Sequence, residues 1–198
     1  MDEFIICLVA LVIVITLLTK YESFTSGLVN VPSKFGSEKH LVQNMDDKER
    51  AADMLAIIKK KLDFVCKEMK KKYPNDERVK RVCSRFNPNS IIESEPNSEH
   101  TSYSVNKGEK IVICMREKGE TNELSDINTI TFVALHELAH LMTVSIGHDN
   151  DEFWDNFKFI LRESVKCGIY KCVNYNKNPQ KYCGITVTDN PISCNDIM

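Results

Sequence analysis

The segment from Val133 to Met142 constrains this chain more than any other. It is apolar except for His136, Glu137 and His140. Two histidines at positions i and i+4 of a helix lie on the same face, so both imidazoles can reach one metal ion. Glu137 is rotated by about 100° from the first histidine, which removes it from direct ligation but leaves it within reach of a water molecule on that ion. Such polar groups are costly to bury on an apolar helix unless a metal compensates them.

The ion expected at this helix is zinc. Zinc accepts imidazole ligands, and hydrolytic zinc sites keep one coordination position open for water. Zinc lowers the pKa of that water toward about 7, so Glu137 can accept its proton and later pass it to a leaving nitrogen. The predicted third ligand is His148, because Gly147 lets the chain turn back toward the metal. The oxygen alternatives are Glu163, which is preferred among them, Asp149 and Asp151.

The apolar pattern of the chain predicts an α+β domain. Apolar residues recur at intervals of three and four in several segments, which is typical of amphipathic helices. The predicted helices cover residues 46–72, 76–85, 128–145 and 151–166, and the third has Ser125 or Asp126 available as its N-cap. Residues 101–105 and 110–115 alternate between apolar and polar around Asn106-Lys107-Gly108, which predicts a β-hairpin.

The charged residues do not indicate a polyanion ligand. Residues 46–86 contain 13 Lys/Arg and 8 Asp/Glu, but the whole chain has a net charge of −2. Lysines 59–61 and 70–72 fall opposite the apolar face of the first helix and are expected in solvent. Nucleic-acid sites usually have aromatic side chains interspersed among the basic ones, and these lysines do not show that pattern. No nucleic-acid partner is predicted, and the oligomeric state is left open.

The amino terminus contains an uncharged apolar run from residue 4 to residue 19. This run predicts a single-pass membrane anchor over residues 1–22, with a cleaved signal peptide and burial in the core as alternatives. The protein is therefore expected at a membrane. The lysines that follow the run favour a cytosolic domain and the eight cysteines favour an oxidising compartment, so the side of the membrane stays open.

The rest of the chain divides into three predicted parts. A linker rich in Ser, Gly and Pro covers residues 23–45, a catalytic domain covers 46–166, and a Cys-rich tail covers 167–198. Seven cysteines lie outside the apolar run. Disulfides that attach the tail to the core are favoured over a zinc knuckle, because the cysteine spacing fits a knuckle poorly. Seven is an odd number, so one thiol is left without a partner in the chain.

These motifs resemble the metallopeptidases of the WLM and SprT-like group. The resemblance rests on Val133–His140, Gly147-His148 and Phe153-Trp154, and it covers roughly residues 46–166. It implies a small zincin-like fold in which His136, His140 and His148 bind zinc and Glu137 is the catalytic acid and base. The order of segments along the chain is also similar to that of membrane-anchored members from large cytoplasmic DNA viruses. This similarity implies that the protein is located at a virion membrane or a host internal membrane. The tail and the anchor depart from the DNA-repair members, so a DNA-linked role is not implied.

The sequence therefore predicts a membrane-anchored zinc endopeptidase that acts on a protein or peptide substrate. The alternatives are a structural or binding virion component with a zincin-like domain and little turnover, and a hydrolase of non-peptide amides. An edge strand of the hairpin, either 103–105 or 111–114, is predicted to align an extended peptide by strand addition. An oxyanion-stabilising donor is also expected, with Tyr103, Tyr170 and Arg116 as candidates.

Overall fold

The computed structural model describes residues 5, 7–16, 27–119, 121–145, 147–148 and 151–196. The helices of the domain are α1 (Lys48–Lys72), α2 (Glu77–Arg85), α3 (Ile127–Met142) and α4 (Asp151–Lys166). The strands are β1 (Leu28–Pro32), β2 (Lys39–Gln43), β3 (Ile91–Glu93), β4 (Tyr103–Val105), β5 (Lys110–Ile113), β6 (Gln180–Tyr182) and β7 (Ile185–Val187). The α+β prediction and the four predicted helices are confirmed.

Helix α3 begins where its capping residue predicts and ends earlier than expected. The Asp126 carboxylate accepts hydrogen bonds from the backbone N–H groups of Asn128 and Thr129, a cap that contributes about 1 kcal/mol to stability. At the other end Thr143 has extended backbone angles, so the helix stops at Met142 rather than near residue 145. Neighbouring helices surround α3, and its apolar side chains form the centre of the core.

The central sheet has the strand order β3-β5-β4. Strands β4 and β5 form the predicted antiparallel hairpin, whose turn contains Asn106 and Lys107 at positive φ followed by Gly108. Strand β3 pairs in parallel with the other side of β5. Because β5 is central, only β4 of the two predicted edge strands lies at an edge, and the 111–114 alternative is wrong.

Residues 28–43 form a β-hairpin in the region predicted as a linker. Strands β1 and β2 pair antiparallel across their full length, and Val31 and Val42 are buried in the core. The Gln43 backbone N–H donates to the buried carboxylate of Glu93 at 2.8 Å, which attaches the hairpin to the central sheet. The Ser, Gly and Lys residues between the strands belong to its turn, whose composition resembles that of a linker.

The sequence predicted that the lysines of α1 lie in solvent, and this prediction is wrong for some of them. Lys59 is buried, and the Lys61 ammonium donates to the backbone carbonyl of Ile169 at 3.0 Å. Lys72 forms an ion pair with Glu163 of α4 at 2.8 Å. The charged ends of Lys61 and Lys72 therefore bond to other elements of the fold.

Two disulfides organise the Cys-rich tail. Cys114, which follows β5, is bonded to Cys183 at the turn of the β6–β7 hairpin, and Cys172 is bonded to Cys194 within the tail. The prediction of disulfides that attach the tail to the core is confirmed by the first bond. The zinc-knuckle alternative is excluded, because two of its four thiols are paired with each other. The free cysteines are Cys7, Cys66, Cys83 and Cys167.

The predicted single-pass anchor and the membrane localisation are wrong for the part of the chain that the structure describes. None of the helices described there is both long and apolar enough to cross a bilayer. Within the apolar run, residues 7–16 are helical. Residues 1–4, 6 and 17–26 of the predicted anchor and linker lie outside the described residues.

Candidate functional site

Three imidazoles meet above helix α3. One ligand nitrogen each of His136, His140 and His148 lies within 4.8 Å of the others, and the Nε2 atoms of His136 and His148 are 2.9 Å apart. Nitrogens that bind one tetrahedral zinc at about 2.05 Å stand about 3.3 Å from each other. The spacing of the three histidines therefore fits a single zinc ion, with small adjustments of side-chain angles.

Glu137 lies in the same cleft as this cluster. Its side chain is buried, and its Oε2 atom has no hydrogen bond to any residue that the structure describes. A buried carboxylate without a partner is costly to the fold. Since Glu137 also lines the cleft that contains the histidines, its position suits a group that acts on a molecule bound there.

Burial sets the protonation of the cluster. Loss of hydration, together with the neighbouring imidazoles of His140 and His148, lowers the pKa of His136 to about 3. Loss of hydration, His148 and the Lys107 ammonium lower the pKa of His140 to about 4. Both rings are neutral at physiological pH, which is the form that binds metal. Burial raises the pKa of Glu137 to about 8, so its ionised form is an unusually strong base for a carboxylate.

Helix α4 supports the three imidazoles from one side. The ring of Phe153 lies 4.9 Å from that of His136, 4.5 Å from His140 and 4.6 Å from His148, measured between ring centroids. The Trp154 indole N–H donates to the backbone carbonyl of His148 at 3.1 Å. These contacts hold the exposed third histidine over α3, and they explain why the aromatic pair follows it in the sequence.

The turn between α3 and His148 is fixed by charged side chains. Glu152 of α4 accepts the backbone N–H of Val144 at 3.0 Å. Arg81 and Arg85 of α2 donate to the last carbonyls of α3, where cations also complement the helix dipole. Contacts among α2, α3 and α4 therefore determine where His148 lies.

The histidines and Glu137 form the floor of a cleft of about 730 Å³. Residues 101–104, which include the start of the edge strand β4, border it on one side. Tyr182, Ile185 and Val187 of the β6–β7 hairpin also line it, next to Ser102. The cleft therefore combines a buried base, three imidazoles and a free strand edge.

Several predicted site residues lie elsewhere. Glu163, the second choice as third ligand, accepts hydrogen bonds from Lys72, Lys166 and the Tyr73 hydroxyl on the far side of α4. Asp151 is exposed at the start of α4, and Asp149 lies outside the described residues. Of the oxyanion candidates only Tyr103 lines the cleft. Arg116 forms buried ion pairs with Asp47 and Glu93, and Tyr170 is buried against Tyr175 in the core.

Tyr182 is one of the cleft residues that sequence reasoning missed. Its hydroxyl donates to the Cys114 carbonyl at 2.7 Å and lies 2.7 Å from the Ser102 hydroxyl. Ser102 in turn accepts the backbone N–H of Cys114 at 3.0 Å. A lone tyrosine in an aperiodic tail gives no local signal, although the adjacent Cys183 marks a possible attachment to the core.

Comparison with known proteins places the chain in a family. The family model described as WLM domain matches residues 34–195. The chain belongs to the WLM family. WLM proteins are zinc-dependent metalloproteases, so a metallopeptidase-like function is indicated in general terms, and the sequence-based resemblance is confirmed.

Relatives of this WLM chain occur in viruses. The uncharacterized protein R325 of Acanthamoeba polyphaga mimivirus is 31% identical over 195 residues, which cover 96% of this chain and 98% of the relative. The uncharacterized protein 136R of Invertebrate iridescent virus 6 is 33% identical over 86 residues, 42% of this chain and 47% of the relative. The crystal structure of Wss1 from Saccharomyces cerevisiae has a TM-score of 0.48 and 17% identity, over 64% of this chain and 86% of that chain.

Proposed function

We propose that this chain is a zinc-dependent endopeptidase. The observation that carries the proposal is the convergence of His136, His140 and His148 in an open cleft beside the buried carboxylate of Glu137, whose Oε2 atom has no hydrogen bond to any described residue. The three histidines would hold the zinc ion. Membership of the WLM family supports the same reaction class.

The roles of the side chains follow from their chemistry. Zinc, when bound, supplies Lewis acidity that polarises a peptide carbonyl and lowers the pKa of water. Glu137 accepts a proton from the attacking water and delivers it to the amide nitrogen that leaves. Its burial favours both steps, because the poorly hydrated carboxylate takes up a proton readily near neutral pH.

The edge strand supports a peptide as the substrate. Among the described residues, strand β4 pairs with β5 alone, so the backbone groups on its other side can bond to a further strand. An extended peptide that pairs with residues 103–105 would cross the cleft beside Glu137. This pairing involves backbone rather than chain ends, which favours cleavage at internal bonds. Tyr103 lines the same cleft and is the remaining candidate for a donor to the oxyanion.

The test is metal content and peptide hydrolysis of the full chain and its Glu137→Gln variant. We expect about one zinc per chain in both proteins, because Glu137 is not a ligand. Hydrolysis should fall by about 10²-fold to 10⁴-fold in the variant, as for loss of a general base. The Glu163→Gln variant is the matched control, since it removes a carboxylate of α4 that lies away from the histidines.

Two results would overturn the proposal. Folded protein that takes up no zinc would remove the metal site. A zinc-loaded protein that cleaves no peptide, with Glu137→Gln behaving as the wild type in every assay, would indicate the structural or binding role instead.

A further inference from the structure

The two ends of the cleft differ in chemistry. Phe132 and Val133 lie one turn before His136 and Glu137 on α3, so they line the cleft toward the amino-terminal end of the helix. Lys107 and Gly147 line it toward the other end, where the Lys107 ammonium donates to the carbonyls of Thr143 and Ser145. The first end is apolar, and the second is occupied by polar groups that are already paired.

The β6–β7 hairpin completes the apolar end. It contributes Tyr182, Ile185 and Val187 to the cleft. Ile185 is 52% exposed, and Val187 is partly exposed. No Asp, Glu, Lys or Arg of the hairpin lines the cleft in the part of the chain that the structure describes. Exposed apolar side chains beside a candidate reaction centre are typical of a ligand pocket.

The β6–β7 hairpin forms the wall of the cleft at this end, and it is held rigidly against the edge strand. The Cys114–Cys183 disulfide joins the hairpin turn to the end of β5. One residue away, the Tyr182 hydroxyl bonds to the Cys114 carbonyl and lies within hydrogen-bond distance of Ser102, just before β4. The wall and the strand edge are therefore fixed to the same point of the sheet, so a peptide held by β4 would meet the wall at a constant distance.

We infer that the apolar end of the cleft is a specificity subsite for a bulky aliphatic or aromatic side chain of an extended peptide substrate. The inference rests on the proposed function, because it assigns the substrate class of the same site. Leu or Phe would cover Ile185 and Val187 without loss of hydrogen bonds. A charged side chain would lose hydration there without gaining a partner.

The experiment uses the full zinc-loaded chain and a set of peptides that differ at one position, which carries Leu, Ala, Asp or Glu. Cleavage gives the preference between peptides, and equilibrium binding to Glu137→Gln gives the same preference without turnover. We expect wild type to favour Leu over Ala and to reject Asp. In the Ile185→Ser variant the preference for Leu over Ala should fall roughly tenfold, because removal of an apolar contact in a pocket changes discrimination by about that factor.

The control is Phe64→Ser, which removes an apolar side chain of similar exposure on α1, away from the cleft. It should leave the preference unchanged. The Ile185→Lys variant should shift the preference toward Glu, a gain that misfolding cannot produce.

Each outcome decides the inference. A wild type without apolar preference, or a preference that Ile185→Ser leaves intact, overturns the subsite while peptide cleavage keeps the proposed function. Selective binding of Leu peptides without any hydrolysis supports the subsite and overturns the peptidase. Absence of both binding and cleavage overturns both.

Discussion

Removal of the Cys114–Cys183 disulfide should affect both the stability of the domain and the shape of the cleft. The bond closes a sequence separation of 69 residues, and Cys172–Cys194 closes one of 22. From loop-closure entropy the first contributes about 4.4 kcal/mol to the free energy of unfolding and the second about 3.4 kcal/mol. The double variants Cys114→Ala/Cys183→Ala and Cys172→Ala/Cys194→Ala are therefore similar in stability cost.

The two bonds differ in what they hold. Only Cys183 lies at the turn of the hairpin that lines the cleft, while Cys194 belongs to a short helical turn near the carboxy terminus. Loss of the first bond leaves the cleft wall attached mainly through the buried Tyr182 side chain. Loss of the second should leave the wall where it is.

The assay combines urea unfolding with peptide hydrolysis at a temperature where both variants are folded. Both variants should unfold at lower urea concentration than wild type, with the larger shift for Cys114→Ala/Cys183→Ala. Only that variant should show a raised KM for peptides with a bulky apolar side chain and a weaker preference over Ala peptides. Equal KM values in the two variants, or a larger effect from Cys172→Ala/Cys194→Ala, would refute the reasoning.

Three further predictions concern single side chains. His148→Ala should weaken zinc affinity by at least about 10²-fold in a chelator competition, because it removes one of three ligands, whereas His100→Ala in an exposed loop should not change it. Arg116→Met should lower the free energy of unfolding by about 3–5 kcal/mol in urea titrations, since it leaves a buried carboxylate without its cation. The Cys83 thiol donates to the backbone carbonyl of Cys66 at 3.3 Å, and interaction with the neighbouring Cys66 side chain lowers the pKa of Cys83 to about 7, so Cys83 should be alkylated faster than an ordinary thiol at neutral pH. The Cys66→Ala change should move the pH–rate midpoint of this alkylation upward, and an unchanged midpoint would contradict the assignment.

Much of the helical structure was predictable because its signals are local. The cap at Asp126 and the i, i+4 spacing of His136 and His140 depend on residues within two turns of each other. The β4–β5 hairpin was also predictable, because its turn joins strands that are adjacent in the sequence. The sequence did not predict the strands at residues 28–43, since their Ser, Gly and Pro residues resemble those of a flexible linker.

The apolar amino-terminal run predicted a membrane span, but none of the helices that the structure describes is both long and apolar enough to cross a bilayer.

The sequence by itself determined the chemistry of the candidate site, namely two histidines and a glutamate on one buried helix, because the helical repeat alone brings them together. Only the tertiary structure decided what surrounds them. It brought His148 over α3 through contacts from α2 and α4, and it made β4 the edge by inserting β3 beside β5. It also placed Tyr182, 46 residues beyond His136 in the chain, at the wall of the cleft. Such placements depend on packing and on a disulfide between distant segments, which no local pattern in the chain encodes.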